Sequence, residues 1–128
     1  MSTKTIKPTQ SELEILQVLW VKNLASVRDV HEELLKSKEA GYTTTLKLMQ
    51  IMVEKGVLQR DESSMKHIYA PVEEEQKTKS YLLDRFVESM YNGSATNLMM
   101  QLLGNKKSSK KELQAIKDLI GKLDKDLL

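Results

Sequence analysis

Apolar side chains recur every three or four residues through the first part of the chain, the spacing that places them on one face of a helix. The first such stretch predicts a helix over about residues 9–22. Thr9 and Glu12 have the spacing of a capping box, in which hydroxyl and carboxylate each accept a backbone N–H at the helix start. Trp20, the only tryptophan, is expected to anchor the core, while Glu12 and Glu14 are expected on the solvent side.

Two more helices are predicted before the pattern changes. Ser26 is a suitable N-cap for the second, which is expected to run to about residue 38 with Asp29 in its first turn. Gly41 is then expected to break the chain, since glycine alone tolerates a positive φ without penalty. The third helix is predicted over about residues 43–55, with threonine hydroxyls capping its start and Gly56 ending it.

The third predicted helix has two contrasting faces. At 100° per residue, one side collects apolar residues that are expected to pack into the core, namely Leu46, Met49, Met52 and Val53. The opposite side collects Thr43, Thr44, Lys47, Gln50, Ile51 and Glu54. A start rich in small hydroxyl residues can approach phosphates and bases closely, and a helix N-terminus itself favours an anion.

Short apolar runs after Gly56 predict two strands. They cover residues 57–60 and 66–70, with a polar turn at residues 61–64 and Pro71 stopping the second strand. Three helices followed by a hairpin is the order of a winged helix-turn-helix, whose third helix enters the major groove of DNA while the hairpin forms the wing. The predicted fold class is therefore mainly α with a small β-hairpin wing, and residues 1–72 are predicted to be the DNA-binding domain.

Residues 73–128 return to helical spacing and are predicted to be a helical dimerisation segment. Helices are expected to about residue 91, around residues 98–103, and from a cap at Ser108 or Ser109 onwards, with breaks at 92–94 and 104–105. These helices carry more apolar surface than they can hide alone, so they either fold back or pack against a second copy. A symmetric dimer is favoured because it spaces two recognition helices for two half-sites. The expected dimerisation residues are Leu82, Phe86, Met90, Leu98, Leu102, Leu113, Ile116 and Ile120.

Composition narrows the function further. The 128 residues include no cysteine, which excludes disulfides, thiolate nucleophiles and cysteine metal sites. The net charge is +2, and the parts before and after residue 72 each have 10 basic and 9 acidic residues, so total charge does not single out a DNA-binding part. No apolar run approaches the ~20 residues of a membrane span, and a secretory signal is not expected from the polar residues 1–10. We therefore expect a cytoplasmic protein that does not insert into a membrane.

The histidines and methionines, which could in principle catalyse a reaction or bind a metal, are explained better as structural residues. Neither His31 nor His67 has a partner motif of the kind that nucleophilic or acid–base catalysis requires. Met49, Met52 and Met90 belong to apolar helical runs, where methionine fills gaps in a core. The sequence therefore predicts no enzyme activity, no cofactor, no metal and no small-molecule substrate.

The residues expected to contact DNA fall into two groups. The recognition-helix group is Thr43, Thr44, Thr45, Lys47, Gln50 and Ile51, in which Lys47 can reach a phosphate or a guanine edge and Gln50 can pair with adenine. The phosphate and wing group is Arg28, Ser63, Ser64, Lys66 and His67. For the residues of the third helix, the alternative is an ordinary threonine N-cap followed by a solvated face. For the whole domain, the alternative is a winged helix that binds other proteins and not DNA. Salt separates the two, because counterion release makes DNA affinity fall steeply with salt concentration.

The chain resembles the BlaI/MecI/CopY family, the penicillinase and methicillin-resistance repressors and their copper-responsive relatives. The resemblance covers nearly the whole length and rests on five stretches: residues 9–16 with Leu19-Trp20, then 27–30, 42–46, 54–58 and 67–69. It implies a homodimer that binds a palindromic operator and blocks transcription. It also implies release by proteolysis in the C-terminal segment, triggered by a membrane sensor-protease that detects β-lactam.

Three departures from the family pattern concern the signal and the operator. The matching cleavage position is Gln101-Leu102, where the best-known members have an asparagine before the cut. Ile51 stands where relatives often carry arginine on the recognition helix, which is compatible with contact to a thymine methyl. The copper-responsive branch uses a C-terminal cysteine motif, and the lack of cysteine excludes that mechanism here.

Overall fold

A computed structural model describes residues 8–104 and 109–127 of the chain. Its elements follow the predicted order of three helices, a hairpin and further helices. They are α1 (Gln10–Lys22), α2 (Val27–Leu34), α3 (Tyr42–Glu54), β1 (Leu58–Asp61), β2 (Ile68–Pro71), α4 (Glu75–Tyr91), α5 (Ala95–Gly104) and α6 (Lys110–Leu127). The predicted fold class, a winged helix-turn-helix with a helical C-terminal segment, is confirmed.

Local capping signals set the starts of α1 and α2. The Thr9 hydroxyl accepts the Glu12 N–H at 3.2 Å, and the Glu12 carboxylate accepts the Thr9 N–H at 3.1 Å. Ser26 and Asp29 repeat this capping box at α2, with both hydrogen bonds at 3.2 Å. The box at Thr9 was predicted from its spacing, whereas at α2 only the Ser26 cap and an acid in the first turn were predicted, and the bond from the Ser26 N–H to Asp29 was not.

The connection from α2 to α3 differs from the prediction. Helix α2 ends at Leu34, and residues 35–38 form turns in place of a last helical turn. Gly41 has φ −83°, so the break there does not use the positive φ that was expected. Gly41 is the N-cap of α3, with extended backbone and no side chain to cap the helix. The expectation that threonine hydroxyls cap α3 is therefore wrong, because the helix already begins at Tyr42.

The end of α3 and the hairpin form one continuous joint. Gly56 has φ 82°, the Gly56 N–H donates to the Val53 carbonyl at 3.0 Å, and the Val57 N–H donates to the Met52 carbonyl at 2.9 Å. This is the Schellman arrangement expected of a glycine that ends a helix. Strands β1 and β2 then pair antiparallel, with Leu58 opposite Pro71 and Asp61 opposite Ile68. Pro71 is thus the last residue of β2, one position later than predicted.

The core lies among α1, α2, α3 and the hairpin. An isolated bridge between Ala25 and Tyr69 ties the start of α2 to β2, with two backbone hydrogen bonds of 3.1 and 2.8 Å. Burial of apolar side chains is the main favourable term in folding, and the core gathers one stripe from each helix. Its buried members are Ile15, Leu16, Leu19, Ala25, Val27, Val30, Leu34, Met49, Met52, Val57, Leu58 and Tyr69.

The chain divides into two compact units, Met1–Leu82 and Leu83–Leu128. The division falls inside α4, later than residue 72, and the predicted boundary there stays a prediction. The first turns of α4 belong to the first unit: Thr78 is buried, and the Lys79 ammonium lies 5.6 Å from the ring centre of Trp20. Trp20 itself is half-buried and packs against the core, as predicted.

The second unit begins within α4 and continues through α5 and α6. Asn92 and Gly93 have φ values of 50° and 84° and end α4 at the predicted break. Ser94 then caps α5 through the Asn97 N–H at 3.1 Å. Ser109 caps α6 through the Glu112 N–H at 3.1 Å, whereas Ser108 lies outside the described residues.

The described ranges contain neither a membrane-spanning helix nor a cluster of metal ligands. None of the helices there combines the length and the apolar character needed to cross a bilayer. Within the same ranges, no three acidic or histidine side chains come together as metal ligands would.

Candidate nucleic-acid interface

The outer face of α3, defined here as Thr43, Thr44, Lys47, Gln50 and Ile51, is mostly polar. Met49 and Met52 are fully buried on the opposite side, which turns this face away from the core. Thr43, Thr44, Lys47 and Gln50 are exposed, and Ile51 is half-buried. The structure therefore brings together five of the six residues predicted for the recognition helix.

Thr45 is the exception: it was predicted to contact DNA from the recognition helix, but the structure buries it. Its side chain is 2% exposed, and its hydroxyl donates to the Gly41 carbonyl at 3.1 Å. The hydroxyl thus bonds the preceding turn of the helix, as threonine commonly does within helices. A residue buried in this way cannot touch a ligand on the outer face.

The start of α3 leaves backbone donors available. Its N-cap, Gly41, provides no side-chain hydrogen bond, in contrast to Thr9 at α1 and Ser26 at α2. The first N–H groups of a helix have no acceptor within the helix, and they carry the positive end of its dipole. Phosphate oxygens are suitable acceptors for such groups.

A groove of about 420 Å³ lies between the N-terminal turns of α2 and α3 and the wing. Three of its side chains, Arg28, Lys66 and His67, were predicted to contact phosphates. The structure thus brings a helix-borne cation and two wing residues to one surface. The groove is lined by Ser26, Val27, Arg28, Tyr42, Leu46, Met65, Lys66, His67 and Tyr69.

Tyr42 and Met65 belong to this groove but were not predicted as site residues. Tyr42 is the first residue of α3 and is 43% exposed, and its ring packs edge-on against His31 at 5.5 Å between centroids. Met65 is fully exposed in the wing loop. Their positions, at the start of a helix and in the wing loop, could have indicated a role in the groove. They were missed because neither is a basic or hydroxyl side chain of the kind expected to contact DNA.

The two wing serines are exposed and also shape the loop that carries them. The Ser63 N–H donates to Asp61 Oδ1 at 2.9 Å, which lowers the pKa of that carboxyl. The Ser64 hydroxyl donates to the Lys66 carbonyl at 2.9 Å. Both residues therefore hold the loop in shape, and they present it beside Lys66 and His67.

Two charged side chains, Asp29 of α2 and Arg60 of β1, already interact with neighbouring residues. The Ser26 N–H and hydroxyl hydrogen bonds lower the pKa of the Asp29 carboxyl, and the charges of Lys66 and Lys22 act in the same direction. Arg60 of β1 is held by Glu62, with Nε donating to the carboxylate at 2.6 Å. Within residues 8–104 and 109–127, Lys47 makes no ion pair.

The residues predicted for dimerisation are spread over α4, α5 and α6. Phe86, Met90, Leu102 and Ile120 are exposed, which is unusual for so many large apolar side chains. The remainder, Leu82, Leu98, Leu113 and Ile116, are half-buried. The predicted cleavage position, Gln101-Leu102, is exposed and lies in the last turn of α5.

Comparison with known proteins gives one family. The family model described as penicillinase repressor matches residues 8–122. The penicillinase repressor of Staphylococcus aureus is 22% identical over 125 residues, covering 98% of this chain and 99% of that protein. The methicillin resistance regulatory protein MecI of the same species is 23% identical over 122 residues, covering 95% and 99%.

A more distant relative and one solved structure extend the comparison. The penicillinase repressor of Bacillus licheniformis is 21% identical over 112 residues, covering 88% of each chain. A mutant of Lactococcus lactis ZitR aligns over 98% of this chain and 79% of its own, with 13% identity and a TM-score of 0.43.

Proposed function

The chain belongs to the penicillinase repressor family, whose members are transcriptional regulators and not enzymes, and we propose that it represses transcription by binding a palindromic DNA operator as a homodimer. The observation that carries this proposal is the outer face of α3, which is polar, projects from the core and opens with uncapped helix N–H groups. Placed in the major groove, this face brings Lys47 and Gln50 to base edges and Thr43 and Thr44 to phosphates.

The groove beside α3 supports the backbone part of this interface. Arg28 from α2 and Lys66 from the wing both line this groove, so a DNA strand lying in it would meet two cations. Phosphate contacts of this kind fix register and orientation, while base contacts choose the sequence. His67, Ser63 and Ser64 complete the proposed contacts from the wing.

The dimer is supported by the exposed apolar side chains of α4, α5 and α6. Phe86, Met90, Leu102 and Ile120 are large apolar side chains that are exposed, and exposed apolar patches often mark protein–protein interaction sites. Covering them with a second copy produces a two-fold symmetric protein, and a two-fold protein matches two half-sites about one helical turn apart.

We also propose that proteolysis in the C-terminal segment releases the repressor from its operator. The bond between Gln101 and Leu102 lies inside α5, so the last turn of that helix must open before a protease can bind the backbone in extended form. The agent implied by the family resemblance is a membrane sensor-protease. Mass analysis of the protein from induced cells tests this, with a fragment ending at Gln101 as the expected product and intact protein as the opposing result.

Salt dependence tests DNA binding against the alternative of a protein-interaction module. The wild-type protein, Arg28→Ala, Lys66→Ala and the control Lys77→Ala, an exposed α4 lysine, are titrated onto an operator fragment across a salt series. The operator affinity of the wild type is expected to fall steeply with salt. Each groove variant is expected to reduce the slope by about 1, while the control leaves it unchanged. Equal slopes in all four proteins would remove Arg28 and Lys66 from the interface, and salt-insensitive wild-type binding would favour the protein-interaction module.

A further inference from the structure

Glu12 and Lys55 form an ion pair between a buried carboxylate on α1 and a half-exposed ammonium at the end of α3, far apart in sequence. The Lys55 ammonium lies 3.0 Å from both oxygens of the Glu12 carboxylate. The Glu12 side chain is only 4% exposed, although the sequence pattern placed it on the solvent side. The Thr9 N–H donates to the same carboxylate at 3.1 Å, so the capping group of α1 is also the acceptor for Lys55.

Lys55 stands at the joint between the two elements proposed to contact DNA. It is the C-cap residue of α3, and the Schellman turn at Gly56 follows it directly. The next two residues, Val57 and Leu58, are buried, and Leu58 begins β1. A tether on Lys55 therefore acts on the end of the recognition helix and on the start of the wing together.

The apolar contacts of α3 with the core do not by themselves fix the angle of the helix, so an additional directional contact can set it. The fully buried apolar side chains of α3 are those of Met49 and Met52, which are unbranched and adapt to irregular surroundings. Apolar burial is also non-directional, so it holds a helix against the core without setting its angle sharply. A charge-assisted hydrogen bond to both oxygens of a fixed carboxylate has a defined length and direction.

Stability alone is a weak explanation of the pair. Burying the Glu12 carboxylate costs free energy that can exceed its attraction to a lysine that is itself 44% exposed. We propose that Glu12 and Lys55 are positioning residues for DNA reading, which hold α3 and the wing at the angle that brings both onto the operator. This inference rests on the proposed function.

The substitution Glu12→Gln separates positioning from simple electrostatics, because the two act with opposite signs. Removing a negative charge from a DNA-binding protein favours every DNA sequence, since repulsion of phosphates falls. Loss of positioning weakens only the operator, whose base contacts require the angle of α3. Glu12→Gln is therefore expected to bind the operator about tenfold or more weakly, the size of one lost base contact, while affinity for a scrambled fragment stays equal or rises.

The experiment uses the full chain as wild type, Glu12→Gln, Lys55→Met and Lys55→Arg. Fluorescence anisotropy measures the affinity of each for an operator fragment and for a scrambled fragment of equal length. The temperature is chosen so that circular dichroism shows every protein fully folded. Lys55→Met is expected to lose operator affinity as Glu12→Gln does. Lys55→Arg is expected to keep it, because a guanidinium can donate to both carboxylate oxygens.

The results that overturn the inference are distinct from those that overturn the proposed function. The positioning role is excluded if Glu12→Gln binds the operator as tightly as wild type or more tightly. It is also excluded if the variant loses the same affinity for the operator and for the scrambled fragment. If wild type itself binds both fragments alike, sequence-specific binding fails and the inference fails with it. If Lys55→Met does not fold fully, the double variant Glu12→Gln/Lys55→Met replaces it, since it leaves no unpaired buried charge, and the same loss of operator affinity is expected.

Discussion

At the scale of single residues, Lys47 is the cation on which base or phosphate reading by α3 depends most. It is exposed on the outer face and forms no ion pair within the described ranges, so its full charge is available to DNA. Lys47→Ala is expected to weaken operator binding by about 1–3 kcal/mol if it pairs with a guanine. Gel-shift titration measures this, with Lys36→Ala as the control, because Lys36 lies after α2 and already pairs with Glu33 at 3.2 Å. Operator affinity of Lys47→Ala equal to wild type would contradict the assignment.

Asp29 gives a prediction about stability and pH. Its carboxyl has a pKa below the usual value in the folded protein, chiefly because the Ser26 N–H donates to it. A lowered folded pKa stabilises the protein above the unfolded pKa of about 3.9, and that contribution is lost as pH falls through the folded pKa. The wild type is therefore expected to lose more stability on acidification below about pH 4 than Asp29→Asn does.

Urea unfolding at neutral and acidic pH measures this difference. Asp84→Asn is the control, since Asp84 is an exposed acid on α4. Identical losses of stability in wild type and Asp29→Asn would show that the capping box does not contribute the acid sensitivity.

The sequence predicted side-chain contacts correctly where the two contacting residues are close together in the chain. The pair Thr9 with Glu12 was predicted because its spacing alone brings the groups together, and Ser26 was predicted as the N-cap of α2. Prediction failed for Glu12 as a solvent-facing residue, because its partner Lys55 is 43 positions away. It also failed for Thr45 as a DNA-contacting residue, because the side chain is buried and its hydroxyl donates to the Gly41 carbonyl.

At the scale of elements, the two ends of α3 give a matched pair of glycine tests. Gly56 has φ 82°, a region where an L side chain costs about 1–2 kcal/mol. Gly41 has φ −83°, and a Cβ there would meet only the Thr44 hydroxyl at 3.7 Å, an ordinary contact. Gly56→Ala is therefore expected to destabilise the protein by about 1–2 kcal/mol, and Gly41→Ala to be neutral or stabilising by up to about 1 kcal/mol.

Thermal unfolding of both variants beside wild type measures these changes. A loss of stability for Gly41→Ala as large as that for Gly56→Ala would contradict the φ assignments at the ends of α3. The comparison also tests the difference between sequence and structure at Gly41, where a positive φ was predicted.

Element boundaries were predicted best where a local signal defines them. The starts of α1 and α2 and the glycine end of α3 follow from capping residues. The end of α2 at Leu34 was placed four residues too late, because its last apolar residue, Leu35, suggested a longer stripe but is exposed. The groove between α2, α3 and the wing depends on packing of distant segments, which is why Tyr42 and Met65 were missed.

At the scale of the whole molecule, the exposed apolar side chains of α4–α6 predict a dimer. Ile120 lies exposed on α6, and a charge introduced at an apolar interface would be left without a partner. Ile120→Glu is expected to convert the protein to a monomer and to weaken operator binding, because two linked half-site contacts become one. Light scattering over a concentration series measures this, with Lys122→Glu as a control at an exposed polar position of the same helix. A dimeric Ile120→Glu variant would exclude Ile120 from the interface.

Fold class was predictable from the sequence because the order of helices and strands follows from short-range patterns. Total charge contributed nothing to the assignment, since both parts of the chain have the same balance. The family resemblance added the link to repressors, which the family model over residues 8–122 confirms.

The central claim is that this protein recognises a specific DNA sequence through the outer face of α3. Its most direct test is selection of genomic DNA fragments by the full-length protein, followed by sequencing, for wild type and Lys47→Ala in parallel. The wild type is expected to enrich a small set of fragments that share an inverted repeat, and Lys47→Ala to enrich them less. Recovery of fragments in the proportions of the starting DNA, with no shared motif, would contradict the claim.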